Sequence, residues 1–99
     1  VGVWNKEASI KVNGVVIPGK LVWVKDIDVD IQPYNKALLL KNYGYDIEVN
    51  KRVYVDYFES AINVGTVLKY TDQYGKEINL SVKIIPWDDG YMEVICLGI

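Results

Sequence analysis

KDIDVDIQPYNKALLLKNYGYDIEVNKRVYVDYF, Lys25 to Phe58, changes texture twice. It opens on a strict alternation. Ile27, Val29 and Ile31 fall on one face, and Asp26, Asp28 and Asp30 fall on the other. That is the period of a half-buried strand. Gln32-Pro33 ends it, because proline has no N–H to give to a ladder. A second alternation starts at Tyr45 and puts Ile47, Val49, Val53, Val55 and Tyr57 on one parity. Residues 32–45 lie between the two. Ala37, Leu38, Leu39 and Leu40 are helix formers in a row, and Gly44 is placed to follow a helix end. Two strands are therefore expected to be joined by a long, partly helical excursion. Long excursions in small domains are functional or disordered, and this one is too apolar for plain disorder. Three successive leucines cannot all face one core from a single helical turn, so some are expected to meet another chain.

Upstream, Val1–Glu7 has little periodicity and is expected to be a loose arm carrying Trp4. Ile10 to Ile17 reads as a hairpin around Asn13-Gly14, the pair that supplies the positive φ angles of a type I′ turn. Pro18-Gly19 is a second turn signal. Leu21 to Ile31 then reads as one long strand. Val22 and Val24 have the opposite parity to Ile27 and Val29, which calls for a bulge or bend near Lys25-Asp26. Downstream come a strand over 45–58, a connection over 56–63 and a strand over 66–70. Asp72 to Lys76 is a hairpin loop, Ile78 to Ile84 alternates cleanly, and Pro86 to Gly90 is a turn. Tyr91 to Leu97 carries so few charges that burial on both faces is expected. No linker or repeat divides the chain, so residues 1–99 form one domain. The fold class is all-β: a mainly antiparallel small barrel or sandwich, with the excursion set between two central strands. Closing the sheet would remove exposed edges.

Chemistry is sparse. The net charge is −2 and the pI about 5.0, which argues against a dedicated nucleic-acid surface. Lys51-Arg52 beside Tyr54 and Tyr57 has the basic–aromatic mix of a single-strand-binding face, but Asp46, Glu48 and Asp56 nearby would repel phosphates. There is no histidine, so the commonest general base and metal ligand is missing. Ser9, Ser60 and Ser81 lie in no nucleophile elbow, and Cys96, in an apolar strand, is expected to be a reduced core residue. With Asp26 as position 1 of a calcium loop, position 6 is Ile31 instead of Gly and position 12 is Ala37 instead of Glu. No catalysis, metal or cofactor is expected. No apolar run reaches the length of a membrane span, so no membrane partner is expected either.

Five short motifs, in order, carry a resemblance: Ile31-Gln32-Pro33, Tyr43-Gly44, Lys51-Arg52-Val53-Tyr54-Val55-Asp56, Gly65, and Trp87-Asp88. Over residues 21–97 the chain resembles the head-closure (stopper) proteins of tailed-phage head–tail connectors. The resemblance implies a small β-barrel that assembles with itself as a ring, commonly of twelve. It implies an adaptor or portal ring above, a tail-completion or tail protein below, and packaged DNA at most by proximity. It implies residence in the virion neck after synthesis in the host cytoplasm. The excursion would close the channel, through Gln32, Tyr34, Leu38, Leu39, Leu40, Tyr43 and Tyr45. A hairpin carrying Trp87, Asp88, Asp89 and Tyr91 would meet a neighbour. An acidic wall suits a channel that must not adhere to DNA, because it releases no counterions from the duplex. A tail-terminator ring and a monomeric OB- or SH3-like binding module are the alternatives.

Overall fold

In the computed structural model, which describes residues 1–99, the expected loose arm is an interior strand, β1 (Gly2–Lys6). A two-stranded hairpin follows, β2 (Ile10–Val12) and β3 (Val15–Ile17). Then come β4 (Leu21–Asp26), β5 (Asp30–Pro33) and the one helix, α1 (Lys36–Tyr43). The chain ends with β6 (Lys51–Val55), β7 (Val67–Thr71), β8 (Glu77–Trp87) and β9 (Met92–Gly98). Seven strands form one antiparallel sheet in the order β4-β1-β7-β8-β9-β6-β5, and β2-β3 stands apart. β1 escapes periodicity because Val3 is its only buried residue. Polar contacts complete its fit: the Asn5 amide donates to Ala61 O at 2.7 Å and accepts from the Thr66 hydroxyl.

The sheet is all-β and antiparallel as expected, but it is not a closed barrel: its edges, β4 and β5, do not pair. They are nevertheless consecutive in the chain, joined only by Ile27-Asp28-Val29. Seven flat strands would hold the edges about 29 Å apart, whereas this link reaches about 14 Å at most. The sheet must therefore curl. The expected single strand over 21–31 is broken at the link, because Ile27 turns into the core and exchanges backbone hydrogen bonds with Val1 at 2.7 and 2.9 Å. The expected irregularity near Lys25 is a bulge. Val3 faces Lys25 and Trp4 faces Trp23, leaving Val24 as the extra residue.

The concave side holds the main core, with Val3, Leu68, Leu80, Val82, Met92 and Val94 among its fully buried members. Met92 to Cys96 is buried on both faces of β9, as the lack of charge predicts. Even-numbered residues enter the main core, and Ile95 joins a second cluster on the convex side. Burial pushes the Cys96 thiol up to about 12. Cys96 should resist alkylation at mildly alkaline pH until the protein is unfolded, which mass spectrometry of reagent-treated protein checks.

Two boundaries and one position in the sheet differ from expectation. β8 runs through Pro86 to Trp87, so the turn starts at Asp88. Pro86 is tolerated because the ladder is irregular there: Ile84 faces Ile95 and Trp87 faces Glu93, one residue too many on β8. The strand expected from Tyr45 starts at Lys51, because residues 45–50 bring the chain back from the helix. On that return Val49 is buried in the convex cluster, and the Asn50 side chain accepts from Gly98 N at 2.8 Å. The strands flanking the excursion lie at one edge of the sheet, not at its centre.

Turn chemistry is as the residues dictate. Asn13 (φ 50) and Gly14 (φ 79) make the β2-β3 turn, with both φ positive as type I′ requires. Asp72 accepts from the backbone of Tyr74 and Lys76, both at 2.9 Å, in the β7-β8 loop. Asn35 caps α1 by accepting from Leu38 N at 2.8 Å, and Gly44 (φ 78) ends it. No helix is long and apolar enough to cross a membrane.

Candidate assembly surface

Side chains alternate across β6 and β9. Val53, Val55, Met92 and Val94 point into the concave core, which sends Arg52, Tyr54, Glu93 and Ile95 to the convex face. The excursion lies over that face. Leu39 is 0% exposed and packs with Tyr34, Val49 and Ile95, against Ile84. Beside this cluster is a polar knot. The Tyr43 hydroxyl donates to Glu93 Oε2 at 2.7 Å. Arg52 donates to Gln32 Oε1 at 2.9 Å and stands 3.8 Å from Glu93 Oε1, an ion contact without a hydrogen bond. Its guanidinium lies 5.0 Å from the Tyr34 ring centre and 5.1 Å from that of Tyr54. Burial, and then the Glu93 carboxylate, raise the Tyr43 and Tyr54 phenols above the usual tyrosine range.

The excursion residues divide by role. Gln32, Tyr34, Leu39 and Tyr43 anchor the segment to the sheet. Leu38 (40% exposed), Leu40 (51%) and Tyr45 face outward, so one leucine of the three has a core slot and two do not. The Trp87 hairpin joins the same face. Trp87 lies 6.0 Å from Tyr91, and Tyr91 lies 6.4 Å from Tyr54. The Trp87 indole N–H donates to Asp89 O at 3.0 Å, and Asp88 and Asp89 occupy the turn ended by Gly90 (φ 81). Two sites that are separate in the sequence thus form one aromatic band from Tyr34 to Trp87. Because Trp87 is 46% exposed, Trp87→Ala should cost only about 1 kcal/mol in denaturant unfolding, about a third of the cost at a core site.

The basic–aromatic group of the sequence is split. Arg52 joins Tyr54 but is committed to Glu93, whereas Tyr57 lies near Glu59, Lys25 and Asp28. Glu59 is buried and accepts from Lys25 at 3.0 Å, and this hydrogen bond holds its carboxyl below the usual range. The three aspartates do not converge on one point. Asp26 accepts from the Trp23 indole at 2.9 Å and Asp30 from Gln32 at 2.9 Å, while Asp28, Asp30 and Asp56 line a shallow groove around Val29.

Two surfaces are absent from the sequence-level expectation. In the β2-β3 hairpin, Ile10 faces Ile17 and Val12 faces Val15, so four aliphatic side chains share one face. All of them are exposed. Every residue of β4 is also exposed, including Trp23. A signal was present: Val15-Val16-Ile17 gives β3 no polar face, unlike a hairpin that remains in water. Compared with family models, with curated proteins and with solved structures, the chain matches none.

Proposed function

We propose that the chain is a structural, ring-forming subunit of the neck of a tailed phage, a stopper that closes the head connector after packaging and joins it to the tail. The observation that carries this is apolar surface left uncovered in two separate places. One is the β2-β3 hairpin with the β4 edge strand; the other is Leu38, Leu40 and Tyr45 around the helix. Contiguous exposed patches of this kind mark interaction surfaces. Two unlike patches on one protomer favour head-to-tail contacts, which form rings where the rotation between copies closes. Three of the five motifs behind the resemblance lie together: Gln32 accepts from Arg52, and Tyr43 and Arg52 both approach Glu93. The work is done by contacts, and no step requires a cofactor.

The test is to incubate the purified chain with DNA-filled heads that carry an open connector. Electron micrographs should show an added ring on the connector, and the heads should retain their DNA. Leu38→Ser with Leu40→Ser should weaken both results while leaving the isolated subunit folded. Binding to tail tubes in place of heads would identify a terminator ring. A chain that binds neither and stays monomeric would be a separate binding module.

A further inference from the structure

We infer that the β2-β3 hairpin is an arm that docks onto a second copy of this chain, in the acidic groove beside the β4–β5 link. This deepens the ring proposal and rests on it for the head-to-tail sense of the contact. The arm is built rather than slack. Its stem is closed by Glu7 N donating to Lys20 O at 2.9 Å. A side chain at Gly19 would collide with the Glu7 backbone, so glycine is needed where the two sides of the stem meet. Beyond the stem nothing in the same chain covers Ile10, Val12, Val15 or Ile17. An isolated two-stranded hairpin is marginal in water, so an arm of this composition needs a surface to lie on.

Charge points to a second copy as that surface. Residues 1–25 hold four lysines against one glutamate, a net +3, while residues 26–99 hold seven basic against twelve acidic residues, a net −5. Lys6, Lys11 and Lys20, on and beside the arm, form no ion pair within the chain, and neither do Asp28, Asp30 and Asp56 of the groove. Val29 is the apolar residue of the groove, and Tyr57, exposed and near Asp28, adds apolar surface beside it for the aliphatic face of the arm. Arm and groove are different patches of one protomer, so each copy offers one of each.

Sedimentation velocity on the full chain tests this, from micromolar to millimolar concentration. Wild type should associate with rising concentration, and less so at high salt. Two variants separate the halves of the contact. Ile10→Ser/Val15→Ser/Ile17→Ser removes the arm face, and Asp28→Lys/Asp56→Lys reverses the groove. Each alone should stay monomeric with an unchanged melting temperature, its self-affinity at least tenfold weaker. Mixed one to one, they should form a complex that stops at two chains, because one intact arm meets one intact groove. The inference is overturned by a wild type that is monomeric at millimolar concentration, by an arm variant that associates like wild type, or by a mixture that stays monomeric. A groove variant that dimerises alone, arm to arm, overturns it as well. The neck role fails separately: an arm variant that still forms rings on the connector sinks the arm contact alone, whereas arm-dependent association without connector binding sinks only the neck role.

Discussion

Leu39→Ala should lower the unfolding free energy by about 3 kcal/mol, whereas Leu38→Ala and Leu40→Ala should each cost under about 1 kcal/mol. Leu39 is fully buried between the helix and β9, and its two neighbours point away. An eight-residue helix is too short to persist in water unaided, so this one depends on the packing of Leu39 and on its caps. The same dependence predicts that the amides of residues 39–43 are protected from hydrogen exchange in the lone subunit. The excursion is thus a docked element that offers Leu38 and Leu40 without first having to order itself. Denaturant titration of the three variants checks this, and equal costs at all three positions would mean that the helix is not docked.

Arg52→Ala should be the most damaging polar change, at about 3–5 kcal/mol, because it strips a buried carboxylate of its counter-charge. Glu93 is nearly buried, keeps only the Tyr43 hydroxyl as a hydrogen-bond partner, and has Arg52 as its cation. Removing both charges, as in Arg52→Leu/Glu93→Leu, should recover much of the loss, and a double-mutant cycle in urea measures the coupling. Alkali should probe the same knot. A tyrosine whose folded value is raised contributes stability that is fully present below its unfolded value, about 10, and is lost as pH rises toward the folded value. Stability should therefore decline above about pH 10. Tyr43→Phe should flatten that decline, since its hydroxyl is the group held neutral against Glu93.

Local chemistry made much of this legible. Asn13-Gly14, Asp72 to Lys76 and Gly44 act through their own φ angles and side chains, so their turns and cap could be read without knowing their neighbours. Met92 to Cys96 announced its double burial by lacking charge, apart from Glu93. Glu93 could not be understood from β9 alone, because its partners come from α1 and β6. β1 was illegible for a similar reason: one buried valine gives no period, and its place depends on β7, more than sixty residues later. The open seam could not be read at all. An alternation over 21–31 looks the same whether it is one strand or two at opposite edges of a curled sheet.

The order of the strands bears on how the chain is made. β7, β8 and β9 come from the last third of the sequence, yet they occupy the middle of the sheet. The β4–β1 pair attaches to them only through β1 on β7, and the β5–β6 pair only through β6 on β9. A nascent chain emerges at about 5–20 residues per second, so its first two-thirds wait some seconds on the ribosome for the strands that will join them. The apolar hairpin is synthesised early and waits with them. Release before Met92 would leave the β5–β6 pair without the strand it joins, so folding waits for β9 to emerge, and a holdase that shields residues 10–24 during translation should raise the soluble yield.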